Sequence, residues 1–196
     1  MKYYLIIAFL SLPSLSPAQS RLAGLGNFTI GRTTPDSLNR IDFTEEDQPY
    51  VKGTLTLPCT HIRLFTAREA TIAGTHVTDL VLYFHDNMLF KMSCKYRDEL
   101  SGFLRGQYGP STPKAPVSLQ FCPQAMSKPL LMWGEAWSTG DMLALVVHAK
   151  GHAADCKPVE VDKLTIVSQQ VLALSSECDL QQTDSFTDAF IKAQKD

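Results

Sequence analysis

The fold is decided by residues 79–110, which read DLVLYFHDNMLFKMSCKYRDELSGFLRGQYGP. The five positions after Asp79 are all apolar, and a strand that is apolar on both faces is typical of the centre of a covered sheet. Asp86-Asn87 follows, and both residues tolerate the positive φ that a two-residue hairpin turn requires. The stretch therefore predicts a hairpin of two antiparallel strands in the middle of a sheet.

The return strand of this hairpin, residues 88–96, alternates in character. Its even-numbered side chains are apolar, whereas its odd-numbered ones include Lys91, Ser93 and Lys95. Alternation with a period of two indicates a strand with one buried face and one solvent-exposed face. We therefore expect the face that carries the two lysines to be mostly wet.

A short helix is predicted to follow the hairpin. Asp98 is expected to cap it, apolar residues recur at helical spacing from Leu100 to Tyr108, and Gly109-Pro110 supplies a stop. Gly102 and Gly106 lie one turn apart, although each glycine costs about 1 kcal/mol against alanine inside a helix. This spacing predicts a helix that lies on the sheet and approaches it closely at the glycines.

The rest of the chain alternates runs of strands with single helices. A helix is predicted after Thr33, strands lead into the hairpin, and a second hairpin is predicted from Leu130–Trp137 and Met142–His148. Residues 164–167 and 171–174 read as one bent strand, and a last helix carries Phe186, Ala189, Phe190 and Ala193 on one stripe. This order predicts an α+β protein, with an antiparallel sheet of roughly six to eight strands and two or three short helices packed on it.

The beginning of the chain predicts export. Met1-Lys2 precedes an apolar run from Tyr3 to Leu12, and Ser16-Pro17-Ala18 offers the small residues of a cleavage site. We therefore expect a signal peptide over residues 1–18 and a single exported domain over 19–196, with a possible subdivision near 111–127, where prolines cluster. The apolar run is about half of the ~20 residues that span a bilayer, so we expect a secreted or periplasmic protein without stable membrane insertion after cleavage.

All five cysteines lie beyond the predicted cleavage site, at Cys59, Cys94, Cys122, Cys156 and Cys178. Exported proteins commonly use cysteines for disulfides, and an odd number cannot pair completely within one chain. We expect two bridges and one free thiol. The first expected pair is Cys156 with Cys178 and the second is Cys94 with Cys122, while an entirely reduced set is the alternative.

One resemblance is carried by two segments. The run Phe28-Thr29-Ile30-Gly31-Arg32-Thr33-Thr34 and the hairpin over Leu80–Tyr96 resemble small exported bacterial domains of the β-lactamase-inhibitor-like type, which include outer-membrane assembly lipoproteins. The likeness covers about half of the mature chain. It implies an α+β domain that binds other proteins and contributes no catalytic residues. Because no cysteine follows the predicted cleavage site, the likeness does not extend to a lipid anchor.

The nearest approach to a metal motif is His148, His152 and Cys156, which follow one another at intervals of four. Imidazole and thiolate are the ligands of zinc and copper sites, so these three residues are the candidate metal ligands. The competing interpretation is that both histidines are solvated and that Cys156 is a disulfide partner.

Trp133, Glu135 and Trp137 alternate on one predicted strand and therefore share a face. If the two rings are exposed, they form a platform for sugars, with Glu135 accepting hydroxyl hydrogen bonds. If they are buried, they belong to a core or an interface, and Glu135 needs a partner such as Arg97 or Lys91.

Other chemistries find little support in the sequence. The motif Gly-x-Ser-x-Gly, a phosphate-binding loop and Gly-x-Gly-x-x-Gly are all absent, so no cofactor and no catalytic residue is predicted. The formal net charge is −2, with no basic run, which disfavours nucleic acid as a partner. The leading hypothesis is a non-catalytic exported domain that binds another protein, with metal binding and glycan binding as alternatives.

Overall fold

The computed structural model describes residues 23–39, 41–46, 49–52, 55–58, 61–72, 74–122, 129–174 and 185–194. The predicted signal peptide, Cys59 and Cys178 lie outside these ranges. Within them the strands are β1 Gly24–Leu25, β2 Phe28–Thr29, β3 Thr44–Glu46, β4 Pro49–Lys52, β5 Leu55–Pro58, β6 Ile62–Ile72, β7 Thr75–His85, β8 Met88–Lys95, β9 Thr112–Leu119, β10 Leu130–Thr139, β11 Met142–His152 and β12 Pro158–Ser168. The α-helices of the same ranges are α1 Asp98–Tyr108, α2 Gln169–Leu174 and α3 Ser185–Ala193.

Eight of these strands form one antiparallel sheet in the order β3-β6-β7-β8-β12-β11-β10-β9. Two meanders, β6-β7-β8 and β9-β10-β11-β12, meet where β8 pairs with β12. The described chain also holds two small two-stranded sheets, β1-β2 and β4-β5. The α+β prediction is confirmed.

The hairpin that the sequence places at the centre is β7–β8. Asp86 and Asn87 form its turn with φ of 48° and 63°, as a two-residue turn of this kind requires. The prediction for the second face of β8 is wrong, because Lys91 and Ser93 are both buried there. The alternation is also broken within β8, because a register shift between Tyr83 and Phe84 places Phe90 with Tyr83 and Val167 and places Leu89 in the core with Met92. In addition, the pattern could not indicate that a second layer covers the polar face.

Helix α1 lies across one face of the sheet, which we call the front face. It buries Leu100 and Leu104 against the core that contains Met92, Ile166 and Val146. Its cap is Arg97 rather than Asp98, which is the first helical residue. Gly102 and Gly106 do not mark a close approach to the sheet, because a Cβ atom on either glycine would meet no other atom within 4 Å.

The segment before β3 completes the front layer. Only Pro35–Ser37 is helical there, as a short 3-10 turn, so the predicted helix after Thr33 is largely absent. The segment is held by backbone hydrogen bonds at both ends of the Gly31–Thr33 run, from Gly31 N to Leu89 O (2.9 Å) and from Leu89 N to Thr33 O (3.0 Å). The Tyr108 hydroxyl donates to Gly24 O (2.6 Å) and thereby ties the end of α1 to β1.

The opposite face, which we call the back face, is covered by α2 and α3. Phe190 of α3 is fully buried against β10 and β11, so the predicted last helix is confirmed. Residues 171–174 belong to α2 rather than to a bent strand. In the part of the chain that the structure describes, no helix combines the length and apolar character needed to cross a membrane.

Strand β9 occupies part of the proline-rich stretch near 111–127. Thr112–Leu119 pairs with β10 and forms one edge of the large sheet, so this part of the stretch belongs to the sheet. Pro113 and Pro116 lie within it, and proline at an edge limits pairing with further strands because it lacks an N–H group. Residues 123–128 lie outside the described ranges.

Gly134 provides a test of how closely β10 and β11 are packed. A Cβ atom at this position would overlap the Val146 carbonyl oxygen, so we expect Gly134→Ala to lower the free energy of unfolding by about 1–3 kcal/mol. Gly102→Ala is the matched control, and it should raise the free energy by about 1 kcal/mol because the site is open and helical. Urea unfolding of both variants measures this; effects of the same sign would contradict the register.

Candidate functional site

The three residues predicted to share a face of β10 differ in their exposure to solvent. Trp137 is buried, with only 4% of its surface exposed, and its Nε1 donates a hydrogen bond to Gly109 O (2.9 Å) at the end of α1. Glu135 is partly buried, and Trp133 is 36% exposed. A platform of two exposed rings is therefore not formed, and only Trp133 presents an indole to solvent.

The exposed ring of Trp133 is held in place by its neighbours on the next strand. His148 lies opposite Trp133 in the β10–β11 register, and the two rings stack with centroids 5.4 Å apart and an interplanar angle of 14°. Tyr96 meets the same imidazole edge-on at 5.5 Å. His148 Nδ1 donates to the Asp162 carboxylate on β12 at 2.6 Å, so both the tautomer and the orientation of the ring are set by this hydrogen bond.

Glu135 joins this aromatic cluster to α1. Its carboxylate accepts hydrogen bonds from Arg105 (3.0 Å) and Ser111 (2.5 Å), and the Tyr96 hydroxyl lies 3.4 Å away. The prediction that Arg97 or Lys91 would pair with the Glu135 carboxylate is wrong. Lys91 points to the back face, where its ammonium lies over the Tyr83 ring at 4.9 Å.

The environment of Glu135 changes its protonation. Partial burial raises the pKa of its carboxyl, but the hydrogen bonds from Ser111 and Arg105 and the Arg105 charge outweigh that effect, and the pKa lies below its usual value of 4.5. For Tyr96, burial raises the pKa of the phenol, so its hydroxyl stays protonated over the ordinary pH range. The cluster thus contains a fixed carboxylate beside a neutral phenol.

Further along β10 from Glu135, the side chains of the front face become more exposed to solvent. Leu131, two residues from Trp133 on β10, is 45% exposed. Lys150 lies opposite Leu131 in the register and pairs with Glu160 of β12 at 3.2 Å. We call this region the Trp133 surface; it consists of Leu131, Trp133, His148, Lys150, Glu160 and Asp162.

The predicted metal ligands are not brought together. Cys156 forms a disulfide with Cys122, which removes its thiolate, and His148 is engaged with Asp162. His152 lies at the end of β11 opposite Pro158. No group of three or more His, Cys, Asp or Glu residues in the described ranges is arranged to hold a metal ion.

The disulfide differs from both expected pairings. Since Cys156 is bonded to Cys122, neither Cys156–Cys178 nor Cys94–Cys122 is formed. The bond joins the end of the β9 segment to the β11–β12 loop. Among the cysteines that the structure describes, Cys94 is the free one, and burial raises the pKa of its thiol to about 12, so it is not a nucleophile at neutral pH.

Tyr96, Arg105, Leu131 and Asp162 are members or neighbours of the Trp133 surface that the sequence did not single out. The turn predicted at residues 138–141 could have revealed one contact of this surface, because a hairpin that closes at that turn sets Trp133 opposite His148. Asp162 had no such signal, since its position depends on the β11–β12 register across an irregular loop. No protein-family model, curated protein or solved structure matches the chain.

Glu135 provides a test of this network through the pH dependence of stability. A carboxyl group whose pKa is lowered on folding stabilises the fold above its unfolded pKa, and this contribution is lost as the pH falls through the folded pKa. We therefore expect Glu135→Gln to lower the free energy of unfolding at pH 6–7, and the difference from the wild type to shrink below about pH 4.5. Urea unfolding between pH 3 and 7 measures the difference. A constant difference at every pH would contradict the assigned role of the carboxylate.

Proposed function

We propose that this protein is a non-catalytic exported domain that binds another protein through the Trp133 surface. The observation that carries the proposal is the exposed indole of Trp133, which is held against the His148 imidazole on the front face. An aromatic side chain held rigidly before binding loses little conformational entropy when a partner arrives.

The surroundings of the indole match the anatomy of protein interfaces. Such interfaces place aromatic and aliphatic side chains at the centre and polar groups at the rim. Here Leu131 and Trp133 form the apolar centre, and the ion pair Lys150–Glu160 lies beside it. Because these rim charges already neutralise each other, the surface favours a partner that presents an apolar side chain, rather than a strongly charged one.

The single exposed ring is what favours a protein over a glycan. A sugar platform needs a free aromatic face, and one face of the Trp133 indole is already occupied by the His148 imidazole. The second ring of the expected platform, Trp137, is buried and hydrogen-bonded to Gly109 O. Its role is to hold the end of α1.

Export is the second part of the proposal. It is supported by the apolar run and small-residue site within residues 1–18, and by the Cys122–Cys156 disulfide, since such bonds persist in oxidising compartments. Both observations support a secreted or periplasmic location.

Site-directed photo-crosslinking of the full chain in its native host tests the proposal. A photoreactive phenylalanine analogue at position 133 should give a discrete adduct with one protein, because the indole is expected to lie at the centre of the interface. The same analogue at position 41 is the control and should give none, because Ile41 is 92% exposed and lies shortly before β3, which is at the opposite edge of the large sheet from β9.

Competition makes the test specific to the side chain. Excess unlabelled wild-type protein should remove the position-133 adduct, whereas the Trp133→Ala protein at the same concentration should not. Met88→Ala, which removes an exposed apolar side chain at the central hairpin, should compete like the wild type. Equal adducts at positions 41 and 133, or full competition by Trp133→Ala, would overturn the proposal.

A further inference from the structure

A cavity of about 340 Å³ lies on the back face of the sheet, between α3 and the strands β9, β10 and β11. The side chains that β9 and β10 present to it, those of Thr112, Ala136 and Ser138, are small, and they leave space beneath the last turn of α3. Binding sites for small molecules have volumes of roughly 300–1,000 Å³. The cavity is thus large enough for a short organic ligand.

Leu143 of β11 and Ile191 of α3 form the apolar wall that a ligand can reach. Both side chains pack on the core below α3, and both remain partly exposed to solvent. Covering their exposed surface with an aliphatic chain is favourable, because it removes apolar surface from water. This wall therefore favours a ligand with an aliphatic part.

Lys114 is the charged residue of the cavity. Its side chain is partly buried, and among the described residues that line the cavity it is the only one with a charge. No hydrogen bond or ion pair joins its ammonium group to another residue of the described chain. The ammonium group is therefore available to a ligand.

The position of Lys114 in the sheet explains why it has no counter-charge. In the β9–β10 register it lies opposite Gly134, which has no side chain. Strand β9 is an edge of the large sheet, so no other strand of that sheet faces Lys114 from the far side. Gln194 reaches this edge after α3, but its side-chain amide donates to Ala115 O at 2.7 Å and is uncharged. The cross-strand pair of opposite charges that would stabilise a lysine in a sheet is thus missing.

We infer that this cavity binds a short aliphatic carboxylate, with the carboxylate paired to the Lys114 ammonium and the chain lying against Leu143 and Ile191. A hydrogen bond between an ammonium and a carboxylate is charge-assisted and therefore strong. One ammonium group balances the single charge of a carboxylate but not the larger charge of a phosphate. This inference does not depend on the Trp133 surface, which lies on the front face.

An NMR titration of the mature protein with sodium hexanoate tests the inference. The backbone amide signals of Lys114, Ser138 and Ile191 should shift saturably, because these residues line the cavity from three different elements. Acetate lacks the aliphatic chain, and hexylamine carries the opposite charge. Both should bind about tenfold or more weakly than hexanoate.

Two variants remove the charge and the space separately. Lys114→Gln should weaken hexanoate binding by about tenfold, because it removes the charge-assisted hydrogen bond. Thr112→Phe fills the cavity from an exposed position and should abolish binding. Lys192→Gln on α3 and Ser118→Phe, which is opposite Leu131 and so on the other face of β9, are the matched controls. Both control positions are exposed, and both variants should bind as the wild type does.

Urea unfolding separates a binding role of Lys114 from a structural one. Lys114→Gln should leave the urea midpoint unchanged, because its ammonium group has no partner in the described chain. The inference fails if hexanoate causes no saturable shift, if acetate or hexylamine binds as tightly as hexanoate, or if Lys192→Gln weakens binding as much as Lys114→Gln. It also fails if Lys114→Gln lowers the urea midpoint and binds hexanoate as the wild type does.

Discussion

The rest of the structure depends on the pairing of β8 with β12. This pairing joins Lys91–Lys95 to 163–167 and converts two separate meanders into one eight-stranded sheet. On the front face it sets Met92 beside Ile166 and Cys94 beside Leu164, and these side chains form the core on which α1 lies. Each meander alone would leave this apolar surface exposed, so the burial of the front core requires both.

The same pairing positions the Trp133 surface. Tyr96, the first residue after β8, donates its backbone N–H to Asp162 O at 2.9 Å, and this hydrogen bond brings the phenol against the His148 imidazole. On the back face, the register that buries Cys94 also sets Lys95 opposite Lys163. One register therefore fixes both the Trp133 surface at the front and the order of side chains at the back.

Local chemistry made the central hairpin and the flanking helices predictable from the sequence. Asp86-Asn87 fixes a turn, alternation identifies the strands, and helical spacing identifies α1 and α3. Helix α2 was missed because its first turn depends on a distant residue: Asp141 accepts the Gln170 N–H at 2.7 Å from the turn between β10 and β11. Only the end of β9 was anticipated, as a possible short strand over Val117–Phe121; its first half was missed because its prolines are unfavourable in a central strand and are tolerated only at an edge.

The sites were less predictable than the fold, since they combine residues from strands whose registers the sequence does not reveal. Trp133 and Glu135 were found by alternation, but Asp162 and Arg105 reach them only through tertiary packing. The disulfide could not be predicted for the same reason. Cys122 and Cys156 come close only when the segment after β9 and the β11–β12 loop meet in the folded chain, where their Cα atoms are 5.0 Å apart.

Native-state hydrogen exchange of the mature protein tests the central claim most directly, namely that one cooperative sheet is held together where β8 meets β12. The account predicts that the protected amides of 91–95 and 163–167 exchange only through global unfolding, with the same opening free energy as those of β7 and β11. If the β8–β12 amides opened at a clearly lower free energy, or if the two meanders exchanged as separate units, the account would be contradicted.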